Sequence, residues 1–328
     1  MRRRDFITVL GGAAAAWPFA ARAQQPTVPV VGLLDGGSAD TSARFVAAFR
    51  KGLSETGNAE GQNVTVEYHY LEGQYDRLPP LMSDLVRRRV AVIATPGSTP
   101  AALAAKAATT TIPIVFGVRE DPVKLGLVAS LARPGGNATG IDFFAQEVDA
   151  KRLGLLHDLV PKAVRVAVLV NPASASITET TLREVQKAAP AIGLQIRILN
   201  ATTIGEINAA FATLARERPD ALFVAPNSFF TSRRGQFATL TAVNKIPAPY
   251  SNRDYVAVGG LMSYGTDLAD YYRQVGVYTG NILKGAKPAD LPVLQSTKFE
   301  FVINPQTARA LGIEVPPGLL ATADEVIE

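Results

Sequence analysis

The sequence predicts an α/β protein made of two lobes, each built on a doubly wound parallel sheet. Amphipathic helices alternate with strands, and the strands are continuous apolar runs. Such runs are typical of parallel strands that helices cover on both faces. The order of elements also repeats at a nearly constant offset, which indicates two lobes of similar construction. The matched positions are Val30 with Val166, Val92 with Phe223 and Pro113 with Pro247, offsets of 136, 131 and 134 residues.

The first series of elements contains four predicted strands with helices between them. The strands are Val28–Leu34, Val64–Tyr70, Val90–Ala94 and Ile112–Phe116. The first helix follows Asp40 or Thr41 as its N-cap and buries Phe45, Phe49 and Leu53. The next helices are Leu78–Val86, with prolines in its first turn, and an alanine-rich segment after Pro100.

The second series repeats this order and is followed by a tail. Its predicted strands are Arg165–Val170, Gln195–Leu199, Ala221–Val224 and Ile246–Tyr250. Its predicted helices are Phe143–Leu159, a segment ending near Ala189, Ile204–Ala215, and one after Phe230. The tail adds a long helix, Leu268–Leu283, and a strand, Lys298–Ile303.

The stretch Gly117–Ile141 connects the two series. Within it, Lys124–Ala132 has the apolar spacing of a short amphipathic helix. Three segments suit crossings between the lobes and predict a hinge beside a cleft: Gly135–Ala145, Gly259–Gly265 and Pro288–Thr297. The resulting division gives the N-terminal lobe residues 27–139 and 262–292, and the C-terminal lobe residues 140–261 and 293–328.

Residues 1–23 have the composition and order of a signal peptide. Basic residues Arg2–Arg4 precede the apolar run Val9–Ala16, and Ala21–Ala23 offers a small-x-small cleavage site. Arg3–Ile7 is also similar to a twin-arginine export signal, with an ordinary secretory leader as the alternative. Either leader predicts a protein that is exported to the periplasm and loses these residues.

Charge and composition exclude several classes of function for the mature chain. The leader carries four arginines and one aspartate, so its net +3 leaves about +1 of the formal +4. This balance gives no case for binding nucleic acid. The chain has no cysteine, which excludes disulfides, thiol catalysis and thiolate metal sites. No apolar run reaches the ~18 residues of a spanning helix, so we expect no stable membrane insertion.

Polar loops after the predicted strands form the candidate binding site. Ligands of parallel sheets gather outside the carboxyl ends of the strands, where helix N-termini present free N–H groups. Small polar residues there can hold a carboxylate, Asp121 can take an ammonium group, and aromatic residues can form walls. The same residues could instead be simple caps, turn residues or core. The candidates are Asp35, Ser38, Ser98, Thr99, Asp121, Asn171, Ser174, Asn227, Phe229, Tyr250 and Tyr264.

The sequence offers little for catalysis. His69 and His157 have no metal-site spacing, and the nucleotide-binding and serine-nucleophile motifs are missing. Arg119–Asp121 is a cluster of charges, which is weak evidence for acid–base chemistry. We therefore predict no catalytic residue, no metal and no cofactor.

Three separated blocks resemble the ABC transporter substrate-binding family related to tryptophan and tyrosine transport. They are DPVKLGLVASLARPGGNATGI, GGLMSYGTDLADYYRQVGVYTGNILKGAKPADLPV and FEFVINPQTARALGIEVPP, in that order. The resemblance implies a type I periplasmic binding protein fold and a monomer without enzymatic activity. It also implies delivery of a small molecule, such as an amino acid or aromatic acid, to a permease with its ATPase. Among the candidates, it favours Ser98, Thr99, Asp121 and Asn171 as ligand contacts.

Two other functions remain open at the level of the sequence. A sensor-type binding protein would pass its signal to a membrane receptor instead of a permease. A hydrolase or isomerase would turn its ligand over in the cleft. For the transport function, the mechanism we expect is hinged capture, in which a ligand held by both lobes favours closure.

Overall fold

A computed structural model describes residues 28–143 and 148–327. The predicted leader lies outside the described residues, and so do residues 144–147 of the predicted helix Phe143–Leu159. Within the described part of the chain, no helix combines the length and apolar character needed to span a membrane.

The described residues form thirteen strands and twelve α-helices. The strands are β1 (Val30–Asp35), β2 (Thr65–Tyr70), β3 (Val92–Thr95), β4 (Ile114–Val118), β5 (Ala138–Asp142), β6 (Arg165–Val170), β7 (Gln195–Asn200), β8 (Ala221–Val224), β9 (Pro249–Tyr250), β10 (Met262–Thr266), β11 (Leu294–Gln295), β12 (Phe299–Ile303) and β13 (Glu325–Val326). The helices are α1 (Ala39–Glu55), α2 (Leu78–Arg88), α3 (Thr99–Ala108), α4 (Val148–Leu159), α5 (Ala175–Ala188), α6 (Ile204–Glu217), α7 (Ser228–Thr231), α8 (Arg234–Val243), α9 (Arg253–Val256), α10 (Leu268–Leu283), α11 (Pro305–Ala310) and α12 (Pro317–Thr322). Short 3₁₀ helices lie at Tyr75–Arg77, Ala189–Ile192 and Pro288–Asp290.

The first lobe is a six-stranded sheet in the order β11-β5-β4-β3-β1-β2, and every neighbouring pair is parallel. Helices α2 and α3 pack on one face of this sheet. Helices α1 and α10 pack on the other. Because both faces are covered, β4 is buried at each of its residues. The predicted doubly wound sheet is confirmed in this lobe.

The second lobe joins the parallel strands β7-β6-β8 to a second group in the order β9-β10-β12-β13. The N–H of Leu222 in β8 donates to the carbonyl of Pro247 at 2.9 Å, which links the two groups. Strand β12 runs antiparallel to β10, with Phe299 opposite Thr266. The chain leaves this lobe after Thr266 and returns beside the same point, so the returning strand must run the other way. The sheet is therefore mixed at this edge instead of wholly parallel.

The chain passes between the lobes after β5, after β10 and after β11. The first and third crossings fall within the predicted segments Gly135–Ala145 and Pro288–Thr297, and the second begins just after the predicted Gly259–Gly265. All of β5 belongs to the first sheet, although the sequence analysis ended that segment at residue 139. Strand β10, which was assigned to the first lobe, pairs in the second, and β11 pairs in the first lobe instead of the second. Pairing partners that are distant in sequence decide these boundaries.

The segment Lys124–Ala132 is not the short helix that its apolar spacing predicts. The side chain of Asp121 accepts the N–H groups of Val123 and Lys124, and Gly126 adopts a φ of 72°. These local bonds favour a series of turns over a helix. Leu127 and Val128 are nevertheless buried against the first lobe's core. The spacing therefore reflects burial and not helical structure.

Candidate functional site

A small cavity lies between the two lobes. Its first-lobe wall is Arg119 and Glu120, which directly follow β4. Its second-lobe wall comes from α4 and α5 and consists of Asp149, Ser176, Ile177, Thr180 and Thr181. The enclosed volume is about 20 Å³, and the empty space reaches about 250 Å³ when the open mouth is included. The enclosed part has room for about one water, so an amino acid could enter only if the lobes or their side chains moved apart.

Arg119 is the cation on the first-lobe side of this cavity. Its guanidinium lies over the ring of Phe143, 5.2 Å from the ring centroid. Within the described residues it makes no hydrogen bond and no ion pair. Burial lowers the pKa of Arg119, and the nearby carboxylates of Asp149 and Glu120 partly offset that effect. A partly buried guanidinium that has no hydrogen-bond or ion-pair partner among the described residues is suited to a carboxylate ligand.

Glu120 is fixed at the other end of the first-lobe wall. Its Oε2 accepts a hydrogen bond of 2.6 Å from the hydroxyl of Thr99, the first residue of α3. This bond ties the end of β4 to the start of α3. Thr99 is a predicted site residue, and in the structure it holds Glu120, which lines the cavity, without lining the cavity itself.

The second-lobe wall includes the first turn of α5. Ser174 precedes this helix, but its hydroxyl makes no capping bond to it and accepts a bond of 2.8 Å from the amide of Asn227. The first-turn N–H groups of α5 therefore lack a side-chain cap, and residues Ser176 and Ile177 of that turn line the cavity. Uncapped N–H groups at a helix N-terminus favour negative charge. They face the same cavity as Arg119.

Asp149 in α4 is the buried anion of the second-lobe wall, at 2% exposure. Its Oδ2 accepts the hydroxyl of Thr181 at 2.6 Å. Its Oδ1 lies 3.0 Å from Nη2 of Arg152, which is fully buried. The cavity thus carries Arg119 and Glu120 on the first lobe and the fixed carboxylate of Asp149 on the second.

The predicted site residues of β1 and α3 serve mainly local structure. Asp35 is buried and accepts bonds from Gly37 N–H, Ser42 hydroxyl and Tyr272 hydroxyl at 2.7 to 2.8 Å. Burial raises the pKa of Asp35, and the hydrogen bond from Ser42 acts against that rise. Ser38, instead of Asp40 or Thr41, is the N-cap of α1. Ser98 caps α3 by accepting the N–H of Ala101.

The predicted site residues that follow β6 and β8 form one network. Asn171 donates to Oδ1 of Asn227 at 3.2 Å, and Asn227 in turn donates to Ser174. The Oδ1 of Asn227 also accepts the N–H of Phe229. Phe229 is partly exposed under the guanidinium of Arg233, 3.8 Å from its ring centroid. This network holds the loops in front of α5 and α7.

Three other predicted residues lie away from the cavity. The side chain of Asp121 accepts a hydrogen bond within its own turn, and 43% of it is exposed. Tyr250 is fully buried, stacked on Tyr255 at 4.4 Å, and so belongs to the second lobe's core. Tyr264 stacks on Phe299 and borders a separate open space of about 360 Å³ on the second lobe.

None of the predicted site residues is among the described residues that line the interlobe cavity. In the sequence, Arg119 and Glu120 stand out only as part of a charge cluster, and Asp149 does not stand out. Arg119 and Glu120 directly follow a buried strand, and that position is the sequence signal for both. Asp149 carries no comparable signal, because it sits inside a helix whose neighbour across the cleft cannot be identified from sequence.

Solved structures of similar proteins show the same fold. The ABC domain of a Streptococcus pneumoniae protein in complex with L-Trp is 27% identical, with a TM-score of 0.82 over 91% of this chain and 99% of that one. The ligand-free, open structure of a Clostridium difficile substrate binding protein is 25% identical over 92% and 99% of the chains, but its TM-score is 0.68. The architecture is that of type I periplasmic binding proteins.

The sequence comparisons agree with the structural ones. A tyrosine-binding protein of Clostridioides difficile (strain R20291) is 27% identical over 291 residues, which cover 89% of this chain and 82% of that protein. The profile of the ABC transporter substrate binding protein family matches residues 28–327. The chain therefore belongs to the family of ABC transporter substrate binding proteins.

Proposed function

We propose that this protein captures a small solute with a carboxylate group, an amino acid, in the cavity between its lobes. It then presents the solute to an ABC permease with its ATPase. It acts in the periplasm as a monomer and does not transform its ligand. Family membership supports the transport role, and the tyrosine-binding relative and the L-Trp complex support an amino acid as the solute.

The observation that carries this proposal is the unbonded guanidinium of Arg119 at the interlobe cavity. Residues of the uncapped first turn of α5 line the same cavity, so each lobe borders this small space with a group that favours negative charge. A carboxylate between them would receive charge-assisted hydrogen bonds, which are stronger than neutral ones. Because it would contact both lobes, it would also favour the closed arrangement.

The replacement Arg119→Gln tests this proposal. Loss of a charged hydrogen-bond donor is expected to weaken amino-acid binding by ~10–100-fold. Thermal unfolding of the purified protein with each of the twenty common amino acids identifies the ligand, because binding at 100 times Kd adds about 2.7 kcal/mol of stability. Isothermal titration then gives Kd for wild type and variant.

Lys124→Gln is the matched control. This cation lies in the same loop, but 85% of its side chain is exposed and it does not border the cavity. Its replacement should leave Kd unchanged. An Arg119→Gln protein that binds as tightly as wild type, or a wild-type protein that responds to no amino acid, would contradict the proposed function.

A further inference from the structure

Asp149 is held in place by contacts on both of its carboxylate oxygens. The hydroxyl of Thr181 in α5 donates to one oxygen at 2.6 Å, and the guanidinium of Arg152 lies 3.0 Å from the other. Asp149 is also in the first turn of α4, where the helix dipole favours negative charge. These contacts fix an anion that lines the interlobe cavity.

Arg152 is in turn fixed from several sides. Its Nε donates to the carbonyl of Tyr264 at 2.8 Å, and its guanidinium lies over the ring of Phe223, 5.3 Å from the centroid. Both of its Nη atoms are buried, and neither has a hydrogen-bond partner among the residues that the structure describes. Burial lowers the pKa of Arg152, and the carboxylate of Asp149 opposes that shift most strongly. Buried ion pairs seldom add net stability, so this pair has a better explanation in orienting Asp149 than in holding the fold.

Arg119 and Asp149 attract each other across the cavity without contact. Asp149 is the largest favourable charge acting on Arg119. No ion pair within 4.0 Å joins Arg119 to another described residue, however. The space between the two charges therefore separates a cation on the first lobe from a carboxylate on the second. A molecule with a carboxylate at one end and an ammonium at the other would pair with both.

We propose that Asp149 binds the ammonium group of the ligand and determines specificity for zwitterionic α-amino acids. Arg152 and Thr181 are the positioning residues that aim it. This inference rests on the proposed function, in which Arg119 takes the ligand carboxylate. Because each lobe holds one end of the ligand, acids without the amine fail to stabilise closure.

Binding of truncated ligands to the wild-type protein is the first test. The probes are L-tyrosine, 3-(4-hydroxyphenyl)propionate, which lacks the amine, and tyramine, which lacks the carboxylate. L-tryptophan, indole-3-propionate and tryptamine form a second set. Isothermal titration should show the amino acid of at least one set binding ~10–100-fold more tightly than both of its truncated forms. Equal affinity for the amine-free acid would overturn the inference.

The variant Asp149→Asn separates a specificity role from a structural one. It should weaken amino-acid binding by ~10–100-fold while leaving the affinity for the amine-free acid unchanged. Asp158→Asn, on the exposed side of the same helix, should alter neither affinity. If Asp149→Asn weakens the binding of the amino acid and of the amine-free acid equally, Asp149 does not recognise the ammonium group.

A second variant guards against misfolding, because Asp149→Asn leaves Arg152 buried without its carboxylate. The double variant Asp149→Asn with Arg152→Met removes both charges, and it should show the same loss of discrimination. The two proposals fail differently. Amino-acid binding that depends on Arg119 but shows no discrimination through Asp149 overturns only this inference. A protein that binds none of the twenty common amino acids overturns both.

Discussion

At the scale of single residues, Asp142 is a buried carboxyl group beside the hinge whose pKa is raised. It ends β5, just before the chain crosses to the second lobe, and is 2% exposed. One of its oxygens has no hydrogen-bond partner within the described part of the chain. Burial raises its pKa to about 7, the side chain of Gln295 opposes the rise, and the charges of Asp121 and Glu120 add to it. The folded protein therefore keeps this group protonated at pH values where an unfolded chain has lost the proton.

This raised pKa predicts how stability changes with pH. Between about pH 4 and pH 7 the unfolded chain releases a proton that folded Asp142 retains, so the free energy of unfolding falls as pH rises. The fall in the free energy of unfolding that is due to Asp142 is at most about 4 kcal/mol, because its pKa is about 7 in the folded protein and ordinarily 3.8. Asp142→Asn removes it, and chemical denaturation at each pH measures the difference. A constant difference between variant and wild type across this range would refute the prediction.

The residues of the candidate site could be predicted only where they follow strands. The sequence placed Ser98, Asn171 and Asn227 in loops after strands, and the structure has them there. Whether such a side chain faces a ligand or bonds its own loop depends on neighbours that are distant in sequence. Asn171 and Asn227 bond each other over 56 residues of sequence, for example. Tyr250 differs most from its prediction as a site residue, because it is fully buried in the core.

At the scale of elements, α1 and α10 approach each other through glycines. An added Cβ at Gly276 would lie 2.1 Å from the carbonyl oxygen of Phe49, and one at Gly52 would lie 1.9 Å from that of Arg273. The tyrosines Tyr271 and Tyr272 beside this contact are buried. The glycines let the two backbones come close and so set how tightly this face of the first lobe is packed.

Gly276→Ala is expected to destabilise the protein by about 1–3 kcal/mol or more, because the methyl group overpacks a backbone contact. Gly154→Ala in α4 is the matched control, since an added Cβ there meets nothing within 4 Å. That replacement should stabilise the helix by up to about 1 kcal/mol. Denaturant unfolding measures both effects. Equal effects of the two replacements would show that the helix contact is not close.

Most elements of the fold follow from sequence, and the exceptions share a cause. Long helices and buried strands have strong periodic patterns, and α10, β6 and β8 match their predicted bounds. The pattern does not separate β5 and β10 from the crossings beside them. Each contains a glycine that lies close to a neighbouring backbone: Gly140 to Phe116, and Gly265 to Ser251. Close packing explains those glycines, whereas the sequence alone suggests a loop.

At the scale of the whole molecule, the three crossings connect two rigid sheets around one cavity. The first lobe contributes Arg119 and Glu120 to that cavity, and the second contributes Asp149. A zwitterion bound between them would favour closure by its difference in affinity for the closed and open forms.

The distance between labels on the two lobes tests this account most directly. The chain has no cysteine, so Lys124→Cys and Lys187→Cys place a single spin label on each lobe at exposed positions. Pulsed electron spin resonance with saturating L-tyrosine or L-tryptophan, whichever binds, should show a shorter and narrower distance distribution than the free protein. Arg119→Gln in the same background should restore the longer distances at equal ligand concentration. A ligand that binds tightly while the distribution stays unchanged would contradict capture by closure.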